Sequence, residues 1–148
     1  MVEYKKSSAV LVFNDKGELA LQLRAANDDS FPSHWDFSAG GGIDVGEDPK
    51  DSAKRELREE LGVDATVEFI AEEHYKYPAW KPSVSREVDL FIYKAHHNGP
   101  FNLDPAEIAK VQFLKLTIIK EMIESDAKFH PEFVLSWNKG IISRAANN

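Results

Sequence analysis

The sequence predicts an α+β domain in which a mixed β-sheet carries helices on its faces. Apolar and polar residues alternate between Leu19 and Leu23, which is the period of a strand with one buried face. Residues 88–93 are almost wholly apolar, as expected of a strand covered on both faces. A helix with clear end signals lies between these strands and further helical sequence follows them, an order typical of helices packed on a mixed sheet.

The strands and helices follow one another with clear boundaries. Residues 8–13 predict a strand, and 14–17 supply turn residues, so the alternation that follows predicts the second strand of a hairpin. A polar loop at 25–34 leads through Trp35–Ser38 to three glycines. The remaining predicted elements are strands at 67–77, 88–93 and 111–116, a helix at 117–125 and a last helix from about Pro131.

Length and composition indicate one domain. The chain has 148 residues and shows no repeat, low-complexity tract or break in composition, so we predict a single domain over 1–148. Apolar residues make up 43% of the chain, which is enough to bury a core. Cysteine is absent, which excludes disulfides, thiolate metal ligands and a cysteine nucleophile.

The net charge of −7 limits the class of partner. Sequence-independent binding of nucleic acid depends on clustered Lys and Arg, so a nucleic-acid partner is not expected. If the substrate carries phosphates, a bound divalent cation can screen the repulsion. No apolar run approaches the roughly 20 residues that span a bilayer, and the first residues lack the apolar stretch of a secretory signal. We therefore expect a cytoplasmic protein with no membrane contact.

The helix after the glycines has both of its ends marked. Asp48 is a good N-cap, and Pro49 suits the first helical position. Gly62 stands where a left-handed residue ends a helix, so the helix is predicted over 49–61.

Glu56, Glu59 and Glu60 lie on one face of this helix, within an arc of roughly 100°. They border an apolar stripe that we expect to face the sheet, which places the carboxylates at the edge of the core. A hard divalent cation would relieve their repulsion, because Mg²⁺ prefers carboxylate oxygens, water and substrate phosphates. The alternative is an ordinary solvated face. The apolar stripe consists of Ala53, Leu57 and Leu61.

The glycines Gly40–Gly42 stand directly before this region and follow a predicted strand. Glycine lets a backbone approach a ligand closely, so a carbonyl from this turn is a candidate for the metal site. The alternative is a plain tight turn.

Turn and helix together fit one spaced pattern. The pattern is glycine, five residues, glutamate, seven residues, arginine-glutamate, an aliphatic residue, one residue, glutamate-glutamate, one residue, glycine and an aliphatic residue. The residues that match it are Gly41, Glu47, Arg55, Glu56, Leu57, Glu59, Glu60, Gly62 and Val63. Every position agrees, so the chain resembles the Nudix hydrolases, and the resemblance implies their α/β/α sandwich.

The resemblance also implies an activity and a metal. Nudix hydrolases cleave a nucleoside diphosphate linked to another group, using Mg²⁺ or Mn²⁺ and a water nucleophile. By this resemblance Glu59 and Glu60 are principal metal ligands, and Glu56 is a ligand or the base that deprotonates water. Glu56 and Glu59 are thus the expected catalytic residues, and the Gly40 carbonyl is expected to complete the metal shell.

Other residues of the pattern are expected to be structural. The resemblance implies that Glu47 and Arg55 form an ion pair that fixes the loop against the helix, with Gly41 and Gly62 in structural roles. Family members often add an acid from outside the pattern. Here the candidates are Glu87 and Glu107, each with an ordinary surface glutamate as the alternative.

Further segments resemble the isopentenyl-diphosphate-isomerase-like branch of the family. True isomerases of this type need a catalytic cysteine just after the tryptophan-containing strand, and the chain has none. We therefore predict a hydrolase, with an isomerase-like enzyme and a non-catalytic nucleotide-binding module as alternatives. The segments that carry this resemblance are Leu21–Arg24, Phe31–Pro32, Trp35–Asp36, Glu87–Asp89 and Phe129–Pro131.

Substrate contacts are less marked in the sequence. Tyr75, Tyr77 and Trp80 are aromatic residues that can stack on a base, with core and rim packing as the alternative. Arg24 is a candidate phosphate contact, and His130 is expected in a turn or at the surface. The expected partner is a small nucleoside-diphosphate derivative, and family members are often homodimers.

Overall fold

The computed structural model describes residues 1–147, which form a seven-stranded sheet and four helices. The strands are β1 (Val2–Phe13), β2 (Leu19–Arg24), β3 (Trp35–Asp36), β4 (Ala39–Gly42), β5 (Glu68–Pro78), β6 (Ser85–His96) and β7 (Ile108–Leu114). The helices are α1 (Pro49–Leu61), α2 (Leu116–Glu124), α3 (Pro131–Asn138) and α4 (Ile141–Ala146). Within the described residues, no helix is both long and apolar enough to cross a bilayer.

The sheet is mixed, as predicted. Its main path runs β3-β2-β1-β6-β5, with β4 paired to β1 and β7 paired to β2. The β1–β6 pair is parallel and extends along the full length of both strands, whereas the other pairs are antiparallel. The predicted α+β class and mixed sheet are therefore confirmed.

Strands β1 and β2 separate soon after the turn that joins them. They pair only at Phe13 and Leu19, and the earlier part of β1 pairs instead with β4. Ser38 joins the two strands at this end, because its hydroxyl accepts from the Val12 amide at 2.8 Å and donates to the Ala20 carbonyl. The sheet opens beyond this point, and a cavity lies in the opening.

Helices cover both faces of the sheet, which confirms the α/β/α sandwich. Helix α1 buries its apolar stripe against one face, and α2, α3 and α4 pack on the other. The first core includes Val10, Val12, Ala20, Ala53, Leu57, Leu61 and Tyr93. The second core includes Leu11, Leu21, Leu90, Ile92, Ile119, Phe133, Ile141 and Ile142.

Helix α1 has the predicted bounds because its ends are defined locally. The Asp48 side chain accepts a hydrogen bond from the Lys50 amide, and Pro49 occupies the first turn. Gly62 adopts φ 67°, and its amide contacts the Arg58 and Leu57 carbonyls. Glu56 and Glu60 are thereby held at fixed positions at the edge of the core.

Among the predicted boundaries that differ from the structure, three have a clear physical cause. Gly40–Gly42 were expected in a turn but lie in β4, because their backbone pairs with β1. Strand β1 begins six residues before the predicted start, since its first half pairs with β6. The last helical segment is divided into α3 and α4, because Gly140 adopts φ 77° between them.

Replacing Gly62 by alanine should destabilise the fold. A left-handed backbone costs an alanine about 1–2 kcal/mol, and the added Cβ would lie 2.9 Å from the Asn102 Cβ. The measurement is thermal or urea unfolding, with Gly46→Ala as the matched control. Gly46 also has a positive φ, but nothing lies within 4 Å of its added Cβ. Equal losses of stability in the two variants would contradict a role for the Asn102 contact.

Candidate active site

The opening between β1 and β2 holds a cavity of about 580 Å³. Residues from β1, β2, β4 and α1 line it, together with loop residues and the start of α3. The residues of the spaced pattern among them are Gly41, Glu56 and Glu60, and the other predicted site residues that line it are Arg24, Gly40 and Glu107. The cavity is of the size that small-molecule sites occupy.

Glu60 is the most buried carboxylate of the cavity. It is 5% exposed, and its Oε1 accepts hydrogen bonds from Gln22 Nε2 at 2.7 Å and from the Gly40 amide at 3.3 Å. Burial and the adjacent Glu56 raise the pKa of Glu60 well above its ordinary value. A positive charge placed between Glu56 and Glu60 would remove this penalty.

Arg55 holds the loop and helix α1 together around these carboxylates. Its guanidinium donates to both carboxylate oxygens of Glu47, at 2.8 and 3.0 Å, and to the Gly42 carbonyl at 3.1 Å. The Arg55 hydrogen bonds lower the pKa of Glu47 to about 2. The same guanidinium contacts Glu56 at 2.9 Å and Glu59 at 3.2 Å, so Arg55 touches both the structural and the acidic parts of the site.

The glycines of β4 bring the backbone unusually close to the acidic residues. A Cβ added to Gly41 would lie 2.6 Å from Glu56 Oε1, and one added to Gly40 would lie 2.6 Å from the Ser8 carbonyl. Any side chain at Gly41 would thus displace the Glu56 carboxylate. The pattern requires glycine here because of close approach, not because of a positive φ.

The predicted acidic residues are distributed unevenly. Glu56, Glu60 and Glu107 line the cavity, whereas Glu59 is exposed, does not line the cavity and is bonded to Arg55. Burial raises the pKa of Glu107, and Asp104 and Glu56 raise it further, which places Glu107 in the field of the other carboxylates. Glu87 lies away from the cavity, where it contacts His74 Nε2 at 2.8 Å.

These residues fit a divalent cation by their chemistry. The donors are carboxylate and carbonyl oxygens, and because burial and the adjacent Glu56 raise the pKa of Glu60, a cation bound here would favour its charged form. Among residues 1–147, no group of three or more Asp, Glu or His side chains is arranged so that it could hold a metal ion by itself. Mg²⁺ is commonly bound through one or two carboxylates together with several waters and substrate phosphates.

The predicted substrate contacts are mostly found elsewhere. Tyr75 and Tyr77 are in the core, where their hydroxyls bond to Ser136 and Glu132. Trp80 is half-exposed and packs on Phe31. These three aromatic residues do not line the cavity, and their positions correspond to the alternative of core and rim packing. The structure therefore does not bring these three aromatic residues into the cavity that Glu56 and Glu60 line.

Arg24 does line the cavity, but its guanidinium is already bound. It contacts Asp36 at 3.1 Å, Asp28 at 3.2 Å and the Ser30 carbonyl at 2.8 Å. These carboxylates raise the pKa of Arg24 against the effect of burial. A phosphate contact by Arg24 would have to share the guanidinium with them.

Several cavity residues escaped the sequence analysis. The alternation at Leu19–Leu23 predicts that Gln22 lies on the polar face of its strand. Gln22 is instead buried against Glu60, because α1 covers that face. His130 was expected in a turn or at the surface, and this was wrong. It is 7% exposed, and its Nδ1 caps α3 by accepting from the Glu132 amide. The one available signal was Pro131, which marks a helix start and therefore a capping residue before it.

Comparisons of sequence agree with this geometry. A family profile described as NUDIX domain matches residues 3–134. An uncharacterised Nudix hydrolase of Pseudomonas aeruginosa is 31% identical over 120 residues, which cover 81% of this chain and 68% of the relative. An isopentenyl-diphosphate Delta-isomerase of Cereibacter sphaeroides is 33% identical over 132 residues, which cover 87% of this chain and 72% of the relative.

Solved structures resemble the fold along most of its length. The MutT protein from Methanosarcina mazei aligns with a TM-score of 0.74 at 20% identity, covering 95% of this chain and 91% of that protein. An Ap4A hydrolase from C. elegans, solved as a binary complex, aligns with a TM-score of 0.65 at 16% identity, covering 97% and 96%. At these identities the likeness shows a shared fold.

Proposed function

The chain belongs to the NUDIX family and is a Nudix hydrolase, and from this premise we propose that it cleaves the diphosphate linkage of a nucleoside-diphosphate derivative. Water attacks a phosphorus, and Mg²⁺ or Mn²⁺ is the cofactor. The observation that carries the proposal is the buried Glu56–Glu60 pair at a cavity large enough for a small molecule. A cation bound at this pair would favour the charged form of Glu60, and it would also screen the repulsion between a phosphorylated substrate and an acidic protein.

The residues that would hold the metal are Glu56, Glu60 and the Gly40 carbonyl. Glu107 lines the same cavity, and Glu59 is exposed and joined to Glu56 through their shared contact with Arg55. When bound, a divalent cation would supply a means of orienting the diphosphate, neutralising developing charge and lowering the pKa of a water. Glu87 has the weaker claim to a role as ligand, because it contacts His74 away from the cavity.

Glu56 is best placed to take the proton from the attacking water. It lines the cavity, and the Arg55 contact at 2.9 Å holds its carboxylate next to the β4 backbone. Glu59 is more exposed, and its carboxylate contacts the same Arg55 guanidinium as Glu56. We therefore propose that Glu59 is a metal ligand rather than the group that takes the proton. Gln22 orients Glu60 by donating to its Oε1.

An isopentenyl-diphosphate-isomerase-like activity is the second candidate, because curated relatives at 33% identity carry that name. Trp35 is followed by Asp36, Phe37 and Ser38, and the whole chain lacks the cysteine that such isomerases require. Glu56, Glu59 and Glu60 are all present, which counts against a third candidate, a binding module without catalysis.

A panel assay tests the proposal. The panel holds nucleoside di- and triphosphates, ADP-ribose, nucleotide sugars, dinucleoside polyphosphates, NADH, CoA and isopentenyl diphosphate, each with Mg²⁺, Mn²⁺ or EDTA. We expect metal-dependent release of a phosphorylated product from one class of nucleotide, and no release in EDTA. Conversion of isopentenyl diphosphate without loss of phosphate would instead establish the isomerase. Binding of nucleotides without any turnover would establish the binding module.

A further inference from the structure

Two cationic side chains line the cavity on the side of β1 and β6, and among residues 1–147 both are incompletely paired. Lys5 lies on β1 and Arg86 on β6, and both line the same cavity as Glu56 and Glu60. The two strands run parallel, with Glu3 opposite Arg86 and Lys5 opposite Val88. The spacing of two residues along paired strands places Lys5 and Arg86 on the same face of the sheet, one step apart.

The Lys5 ammonium has no ion-pair partner within 4.0 Å in the part of the chain that the structure describes. Much of the side chain is open to the cavity, yet the surrounding protein atoms lower the pKa of Lys5, and the Arg86 guanidinium lowers it further. Glu132 and Glu3 act on Lys5 in the opposite direction, but neither carboxylate forms an ion pair with it within 4.0 Å among residues 1–147.

Arg86 is also incompletely paired. Its Nε is buried and lacks a hydrogen-bond partner, which is an exception among buried polar atoms. The one ion pair that it forms is a 3.3 Å contact with Glu3, a half-exposed residue. Glu132 also lines this part of the cavity, but its carboxylate is bonded to the Tyr77 hydroxyl. No ion pair within 4.0 Å joins Glu132 to Lys5 or Arg86 among residues 1–147.

We propose that Lys5 and Arg86 bind a phosphoryl group of the substrate other than the linkage that is hydrolysed at the glutamates. An anion here would relieve the repulsion between the two cations and would satisfy donors that are now unpaired. The inference rests on the proposed function, which supplies the diphosphate linkage that is hydrolysed at the glutamates. It narrows the substrate class to diphosphate derivatives that carry a further phosphoryl group.

Binding of inorganic pyrophosphate to the metal-free protein tests this site apart from catalysis. Calorimetric titration in EDTA is expected to show binding that weakens at least tenfold in Lys5→Gln and Arg86→Gln, and that Arg86→Lys partly restores. The matched control is Lys6→Gln, because Lys6 is the next residue on β1 and does not line the cavity. We expect less than a twofold change in that variant. Equal affinity in all variants, or no binding by the unmodified protein, would overturn the proposal.

A comparison of two substrates tests whether the Lys5–Arg86 site binds a phosphoryl group of the substrate or only free phosphate. A nucleoside triphosphate and the corresponding diphosphate differ by one phosphoryl group, and KM is measured for both with Mg²⁺. Lys5→Gln is expected to raise KM at least tenfold for the triphosphate and much less for the diphosphate. Hydrolysis with unchanged KM values would refute the inference and leave the proposed function standing. Pyrophosphate binding that depends on Lys5, without any hydrolysis, would support the inference and refute the proposed function.

Discussion

A Glu60→Gln variant is expected to lose at least about a hundredfold in turnover, and Glu56→Gln about 10²- to 10⁴-fold, while both remain folded. The physical reason is that Glu60 is a proposed metal ligand, and Glu56 is the proposed base beside it. Both carboxylates line the cavity, and glutamine keeps their shape without their charge. The measurement is the steady-state rate on the substrate that the panel identifies, together with the unfolding temperature of each variant.

Glu60→Gln should lower turnover, but in the metal-free protein at neutral pH it should not lower stability, because it removes a buried charge. The folded-state pKa of Glu60 lies above its ordinary value of 4.5. The contribution of this carboxyl to stability is therefore fully present below pH 4.5 and is lost as the pH rises through the folded-state pKa. In EDTA, the unmodified protein should lose stability as the pH rises above about 4.5, and Glu60→Gln should lose less. Added Mg²⁺ should raise the unfolding temperature of the unmodified protein but much less that of the variant.

The control for both measurements is Asp51→Asn, which removes a carboxylate from an exposed position of the same helix. It should leave turnover and the Mg²⁺ response nearly unchanged. Turnover close to that of the unmodified protein in both glutamate variants would refute the assignment of the Glu56–Glu60 pair to metal and catalysis.

An Arg55→Lys variant is expected to bind the metal about 10- to 100-fold more weakly. Lysine keeps the charge but cannot donate to both oxygens of Glu47 while also contacting Glu56 and Glu59. The Glu56 carboxylate would then lose its fixed position against β4. The measurement is activity against Mg²⁺ concentration, in which high Mg²⁺ should restore most of the maximal rate.

Arg58→Lys provides the comparison for this prediction. Arg58 is on the same helix, but it is exposed, and its only ion pair among residues 1–147 is with Asp64, at 4.0 Å. Its replacement should leave the Mg²⁺ dependence unchanged. If Arg55→Lys had the same Mg²⁺ dependence as Arg58→Lys, the contacts of the guanidinium with the acidic residues would have no part in holding the metal.

Local signals explain why α1 could be predicted with its bounds. Asp48, Pro49 and Gly62 act within a few residues of the helix ends, so neighbouring strands do not alter their effect. Glu56 and Glu60 follow from the same helix, because their spacing alone places them on one face. The family resemblance rests on this segment too, and the family profile confirms it.

The other side of the cavity depends on contacts that no short segment contains. Lys5, Arg86 and Glu132 come from β1, β6 and α3, and they meet only through the parallel pairing of β1 with β6 and the docking of α3. Tyr75 and Tyr77 show the same limit. Their alternation predicts a strand, but only the packing of α3 determines that their face is buried.

The early separation of β1 from β2 divides the sheet into two units that the chain joins weakly. Phe13 and Leu19 form the single paired position, and Ser38 adds the hydroxyl bridge beside it. A ligand in the cavity would contact β1 and β4 in one unit and β2 in the other. Substrate would therefore act as a structural connection between the two units, and its binding would suppress their independent opening. Amide hydrogens along β2 and β7 should therefore exchange faster in the substrate-free protein than in the protein with substrate bound.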